Sequence, residues 1–513
     1  MPLPRGSILI ECMKKILVAS LLYTLIGGSI FAKNTKPNVI LFLVDDMGLM
    51  DTSVPMLVDK EGKPQKHPLN EFYRTPNMER LARQGIRFSQ FYAQSVCSPT
   101  RVSLMTGQNS ARHRVTQWIN PESKNQGPAG WDWKGLTSKD ITLPALLKKN
   151  GYHTIFSGKA HFAPTEYEGA DPTNLGFDVN IAGCAFGAPG SYLAEDGYGN
   201  LDPKRKKRAI PGLEKYHNTD VFLSEAITRE AISAIDQSLQ KEAPFFLYMS
   251  HYAAHSPFQT DPRFGDNYKD SGKSRPANSF ATLIEGMDKS LGDLMDHLVA
   301  KGEAENTLIL FVGDNGSDAP LGDTYGYFSS APLRGKKGTC YEGGLRVPFI
   351  AGWAKSGKAN SFSIAQNAVQ HQQIGTVMDI YATILDATGT KNPDNHTIDG
   401  TSLIPQLQEK INTDRSDHFL CHFPHFHRSS QYTSYRKGDW KLIYRYQTKI
   451  GNRTLPPYEL YDLASDPYEK TNLAEQKPNK LKTMIKQMMA QLDEESAQYA
   501  LDSSKKELRP ALP

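Results

Sequence analysis

The sequence predicts an α/β fold: a large mixed, mainly parallel β-sheet flanked by helices, with a smaller C-terminal α+β subdomain. Three observations carry this. Short β-rich runs alternate with amphipathic helical stretches along most of the chain. One run, Asn38–Val44 (NVILFLV), is apolar without a break, as a strand covered on both faces requires. After about Asp399 the alternation gives way to shorter strand-like runs such as Trp440–Arg445 (WKLIYR).

Taken in order, the chain opens on Met13-Lys14-Lys15, an apolar run from Ile16 to Ile26, small residues and Ala32. That is the basic, apolar, small-residue layout of a secretory signal peptide, with Met13 better placed than Met1 as initiator. Residues 1–32 are therefore expected to export the protein to the periplasm or beyond. The run is short for a span and nothing later is more apolar, so no stable membrane span is expected. Residues 33–415 are read as the catalytic domain and 416–513 as the C-terminal subdomain. Helices are expected at Leu143–Lys149, stopped at Gly151, at Asp220–Gln240, and at Ile284–Ala300, ending near Gly302. A polar helix from about Asn479 to Ala497 comes after Pro478.

With 39% hydrophobic and 22% charged residues the composition is that of a globular protein. A formal charge of +4 over 513 residues gives no reason to expect a nucleic-acid partner. The basic run Lys204–Arg208 (KRKKR) reads first as a solvated face, with attraction of a polyanion as the alternative. Of five cysteines, Cys12 leaves with the signal, and Cys97, Cys184, Cys340 and Cys421 are too widely spaced for a disulfide framework. One bridge among them stays open.

The residues just past the strands are more informative. Asn38–Val44 ends in Asp45-Asp46-Met47-Gly48, and Tyr152–Ser157 runs into Gly158-Lys159-Ala160-His161. Phe245–Ser250 leads to His255, and Thr307–Val312 leads to Asp314-Asn315-Gly316. In open α/β sheets the ligand site lies beyond the carboxyl ends of the strands. Asp45, Asp46, Asp314 and Asn315 offer only oxygen ligands, which suits a hard cation such as Ca²⁺ or Mg²⁺ and not a zinc cage. Lys159 and His161 lie two apart and could lean the same way. The glycine-rich loop LRGKKGTCYEGGLRVP carries Lys336 and Lys337, either to cradle an oxyanion or as a solvated loop. Cys97, in VCSPTRVSLMTG, has three readings: an inert buried thiol, a thiolate at a helix amino end, or a precursor of another group.

The stretch around Cys97 resembles the signature of type I sulfatases, C-x-P-S-R and then a short helix ending in T-G. NVILFLVDDMG, GKAHF, GDNGS and APLRGKKGTCYEGGLRVPF resemble further motifs of that family in the same order, and MDIYATIL, DGTSLIPQL, RKGDWKLI and YELYDLASDPYEKTNLA complete it. The resemblance implies an alkaline-phosphatase-like fold and hydrolysis of sulfate esters. It also implies oxidation of Cys97 to formylglycine (3-oxoalanine) by a formylglycine-generating or anaerobic sulfatase-maturating enzyme. One Ca²⁺ would be held by Asp45, Asp46, Asp314, Asn315 and residue 97. The hydrated aldehyde would attack sulfur, with Lys159 and Lys337 on the sulfate oxygens and Arg101 helping to place residue 97. His255, alone or with Lys337, would protonate the leaving alcohol, and His161 would take the second hydroxyl proton. Lys337 is preferred to Lys336 because it directly precedes Gly338, as in the family.

Two positions depart from the family pattern. Thr100 stands for the commoner serine, and Ala160 replaces a tryptophan, which is expected to open the wall of the site. The implied substrate is a sulfated carbohydrate, a polysaccharide such as ulvan or carrageenan before a glycosaminoglycan. The alternatives are a phosphomonoester or phosphonate hydrolase of the same superfamily, or an inactive carbohydrate-binding relative.

Overall fold

The computed structural model describes residues 36–122, 130–322 and 328–513. The expected export signal, 1–32, lies outside the described residues. Residues 37–513 form one compact unit.

The main sheet has eight strands. In chain order they are β1 (Asn38–Val44), β2 (Gly85–Phe88), β3 (His153–Gly158), β4 (Val179–Ile181), β5 (Phe245–His251), β6 (Thr307–Gly313), β7 (Phe349–Trp353) and β8 (Ala368–Gln370). Their spatial order is β8-β2-β7-β6-β1-β5-β3-β4. β1 is central and runs parallel to β5 and β6, β3 is parallel to β5 and β4, and β7 alone is antiparallel to its neighbours β2 and β6. The sheet is therefore mixed and mostly parallel, as the sequence predicts.

β1 shows why these residues form a central strand. Val39, Leu41 and Leu43 enter one apolar cluster, and Ile40, Phe42 and Val44 enter another on the opposite face. Side chains of a strand alternate between faces, so a run with both faces covered must be apolar throughout. Helices α1 (Cys97–Thr106), α2 (Leu143–Lys149) and α5 (Val377–Thr388) lie with the first cluster, and α3 (Leu223–Gln240) and α4 (Arg275–Lys301) with the second. α4 is longer than expected by a turn and more. Ser274 caps it through Ala277 N, and Pro276 sits in its first turn.

The C-terminal sheet is antiparallel, ordered β9 (His418–Phe423), β10 (Tyr432–Lys437), β11 (Trp440–Arg445), β12 (Tyr458–Asp462). Phe419, Cys421, Phe423 and Ile443 pack into the main core, whereas Leu420, Leu442 and Leu460 face α6 (Pro478–Glu494) through Leu481, Met484, Ile485 and Met488. Cys97, Cys184, Cys340 and Cys421 are all free thiols, so no bridge forms among them. No helix among the described residues is long and apolar enough to cross a membrane.

Just past α6, Glu495 is 1% exposed and takes one hydrogen bond, 2.9 Å, from Gln491. Burial, with Asp399 nearby, pushes its carboxyl up to about 8 from an ordinary 4.5. The folded protein keeps a proton that the unfolded chain releases, so stability falls as pH rises from about 4.5 to 8. Glu495→Gln keeps the shape without the ionisation. It is expected to gain on the order of 3 kcal/mol over wild type at pH 8 and to flatten the decline in Tm between about pH 5 and 8. Melting curves followed by circular dichroism read this directly; a wild-type Tm that is level across the window would contradict it.

Candidate active site

The carboxyl ends of β1, β3, β5 and β6 converge. Asp45 N donates to Ala253 O at 3.0 Å, Ala254 N to Asp45 O at 2.6 Å, and Asp314 N to Val44 O at 3.1 Å, so three strand ends are stitched together. Asp46 has φ +56°, a left-handed turn uncommon for a residue with a Cβ, and Asp46 N donates to Asp314 Oδ1 at 3.0 Å. A glycine must sit close by: a Cβ at Gly48 would lie 2.4 Å from Ser317 N.

Asp45, Asp46 and Asp314 gather carboxylate oxygens within 4.8 Å of one another, all three fully buried. Cations surround them. Lys159 Nζ contacts both oxygens of Asp45 at 2.8 and 2.7 Å, Arg101 donates to Asp314 Oδ2 at 3.0 and 2.8 Å, and Lys337 Nζ lies 2.5 Å from Asp46 Oδ1. Burial and mutual repulsion push Asp45 and Asp314 up, against the opposing pull of Lys159 and Arg101. Burial acts the same way on Asp46, but Lys337 and His255 overcome it and hold that carboxyl well below the usual range.

The donor set fits a hard cation on an observation independent of charge. Asn315 Nδ2 donates to Asp46 Oδ1 and to Gly316 O, both at 3.0 Å, which fixes the amide. Its Oδ1, and Asp46 Oδ2, are buried with no hydrogen-bond partner among the described residues. Buried oxygens left this way beside crowded carboxylates are what an oxygen-liganded ion satisfies.

Cys97 is the first residue of α1 and 3% exposed. Burial pushes its thiol up despite Lys159 and Lys337, so the unmodified side chain stays protonated and the thiolate reading loses its basis. Arg101, one turn on, lies on the same helix face. It is fully buried, bonded to Asp314, to Lys159 O at 2.8 Å and to Ser250 Oγ at 2.7 Å, so it braces the carboxylates from behind. Thr100 keeps the hydroxyl of the usual serine, which accepts from Gln94 N at 3.0 Å.

His161 Nδ1 lies 3.5 Å from Cys97 Sγ, and Nε2 lies 2.6 Å from Ile119 O. A carbonyl only accepts, so the proton sits on Nε2 and Nδ1 turns its lone pair toward residue 97. Burial keeps His161 neutral, with its pKa well below 6.5. His255 donates from Nδ1 to Ser256 O at 2.9 Å and points Nε2 at Asp46 Oδ2, 3.7 Å away. Burial lowers its pKa to about 4, with Asp46 opposing and Lys337 reinforcing.

Cys97, His161, His255 and Lys337 line a cavity of about 250 Å³, whereas Arg101, Lys159, Asp45, Asp314 and Asn315 lie buried behind it. Lys336 is set against Asp318 at 3.1 Å instead of Asp46. Ala160 is fully buried in the main apolar cluster and lines no part of the cavity, so its small side chain does not open the wall as expected. Several lining residues escape sequence reasoning: Trp118, Asp318, His427 and Arg428. Arg428 forks onto Asp318 at 2.5 and 2.8 Å, so the β9–β10 connection closes one side of the cavity. The histidine- and aromatic-rich run HFPHFHR, which begins in the last two residues of β9, is the signal that points there.

A sheet edge that presents buried carboxylates, flanking cations and a base aimed at one side chain defines a hydrolase of compact oxyanion esters. The chain belongs to the sulfatase family: the Sulfatase family model matches residues 37–390, and that of the N-sulphoglucosamine sulphohydrolase C-terminal region matches 335–498. It is a sulfuric ester hydrolase. A sulfatase of Formosa agariphila is 27% identical, covering 91% of this chain and 90% of that one. The N-acetylgalactosamine-6-sulfatase of Mus musculus is 30% identical over 78% of this chain and 71% of its own. The solved structure of Ps i-CgsB with k-i-k-neocarrahexaose shares the fold at TM-score 0.70 and 23% identity, covering 89% and 93% of the two chains.

Proposed function

We propose that this enzyme removes sulfate from a sulfated polysaccharide or its oligosaccharides, after export, using formylglycine at position 97 and one Ca²⁺. The observation that carries the reading is His161 Nδ1, an unprotonated base 3.5 Å from Cys97, beside the buried, unpartnered oxygens of Asp46 and Asn315. The names of the mouse relative and of the carrageenan-oligosaccharide complex support a sugar substrate. The secretory layout of residues 1–32 supports a periplasmic or secreted enzyme. Algal polysaccharides such as ulvan or carrageenan come before glycosaminoglycans in this reading.

Asp45, Asp46, Asp314 and Asn315 would hold the ion, which supplies Lewis-acid polarisation of the sulfate. Formylglycine supplies, once hydrated, an oxygen nucleophile together with a second hydroxyl that serine and cysteine lack. The chain's own groups do the rest. Lys337 sets fixed positive charge against the sulfate oxygens from the cavity wall, and Lys159, bonded to Asp45 behind it, adds to the field. His161 Nδ1 receives a proton from residue 97, and Nε2 stays bonded to Ile119 O, which holds the ring in place. Lys337 is cationic, its pKa raised by Asp46 against the cost of burial. It thus stays charged beside the cavity, and His255 becomes the proton donor to the leaving alcohol when the substrate's charge raises its pKa.

The phosphate-ester alternative is tested with the mature enzyme on 4-nitrophenyl sulfate and 4-nitrophenyl phosphate. The sulfate is expected to be favoured by about 100-fold in kcat/KM, roughly 3 kcal/mol of transition-state binding. Faster turnover of the phosphate would overturn the reading.

A further inference from the structure

A second groove of about 820 Å³ adjoins the catalytic cavity, and the two share Trp118, Pro121, Arg208 and Ser256 as a common wall. Its far side carries Lys204, Arg205 and Lys207, the basic run that reads from sequence as a solvated face. Arg205 is engaged inside the loop, ion-paired with Asp196 and, at 3.1 Å, with Asp202. Lys204, Lys207 and Arg208 are exposed, and among the described residues none has an ion-pair partner. Glu122 is the acidic side chain on the wall.

The loop is built, not loose. Gly190 N donates to Arg208 O at 2.7 Å, Arg208 N to Arg205 O at 2.9 Å, and Arg205 N to Asp202 O at 3.0 Å. The backbones are so close that a Cβ at Gly190 would lie 2.8 Å from Arg205 O. Just beyond, the buried Tyr192 hydroxyl sits 2.6 Å from Tyr252 O and 2.8 Å from His255 O. The basic loop is thereby tied to the segment that positions His255.

Three cations without ion-pair partners outweigh the single carboxylate of Glu122 on the wall of this concavity and focus a positive field into it. The half-buried Trp118, common to both cavities, offers an apolar face on which a sugar ring can lie. We propose that this groove is a second anion subsite. It receives an oxyanion, either a sulfate ester or a uronate carboxylate, on a sugar adjacent to the one being desulfated. The inference rests on the carbohydrate reading of the catalytic site and deepens it: the substrate is a polyanionic chain, not a single sulfated sugar.

The test is calorimetric titration in the Cys97→Ala background, so that no probe is consumed. Three probes are used: sulfated isomaltohexaose, hexagalacturonate, and inorganic sulfate, which is small enough for the catalytic cavity alone. Lys204→Ala/Lys207→Ala is expected to weaken at least one hexasaccharide about five- to tenfold at about 0.15 M salt. Lys204→Arg/Lys207→Arg should restore that binding, and inorganic sulfate should be unchanged. The hexasaccharide that loses affinity identifies the anion, sulfate or carboxylate. Unchanged binding of both hexasaccharides, or an equal loss for inorganic sulfate, overturns the subsite. Failure of the wild-type enzyme to hydrolyse any sulfate ester would sink the functional reading instead, and the titrations would still judge the groove.

Discussion

Cys97→Ala is expected to lower kcat on 4-nitrophenyl sulfate by at least about 10⁴-fold while leaving the fold intact. The size of the effect comes from where the residue lies. Position 97 is on the wall of the cavity, and its side chain is the one that His161 Nδ1 faces. Lysine charge and bound metal would still position sulfate, but would have no covalent partner to deliver. Stability should suffer little. Replacing one buried sulfur by hydrogen leaves a small void in a helix otherwise packed on every side, worth about 1 kcal/mol. Purified variant with more than a tenth of wild-type kcat would mean that water attacks sulfur directly.

Asp314→Asn is expected to cost about 10³-fold in kcat/KM and to erase the response to calcium. In wild type, Ca²⁺ added after chelation should raise Tm, because an ion that binds only the folded state stabilises it by about 2.7 kcal/mol at 100 times its Kd. The variant loses one of three carboxylates within 4.8 Å and with it much of the field that draws the ion. It also leaves Arg101, fully buried, with Asp45 at 3.6 Å as its remaining anionic partner. Asp45 and the hydrogen bonds to Lys159 O and Ser250 Oγ keep that cation partnered, and one carboxylate repulsion is relieved, so the metal-free variant should melt close to the metal-free wild type. A variant that kept the full calcium shift would place the ion elsewhere.

The site and the sheet differ in how far the sequence discloses them, for physical reasons. β1, β5 and β6 are legible because strands buried on both faces must be unbroken apolar runs, and the polar residues after them stand out by contrast. β4, β8 and β2 are short, and β4 and β8 form the edges, so their residues carry no comparable signal. The amino end of α4 is marked only by Ser274 and Pro276, which a search for apolar periodicity passes over. Asp45, Asp46, Asp314 and Asn315 fall together because a parallel sheet brings strand ends to one edge. Asp318, Arg428 and Trp118 belong to loops from three distant stretches, and only tertiary packing shows that they share a cavity. The case of Ala160 runs the other way. Its place between Lys159 and His161 suggests a wall residue, but the chain turns there, His161 taking φ +57°, and the intervening side chain goes into the core.

In the proposed mechanism residue 97 works as an aldehyde and not as a thiol, and every other catalytic role depends on that. Mass spectrometry of the peptide containing Cys97, from protein made in a host with a maturating enzyme, is the sharpest test. Conversion of the thiol to the aldehyde is a covalent change visible as a loss of about 18 Da. That loss is expected in the active fraction. Fully active enzyme whose peptide retains an unmodified thiol would contradict it.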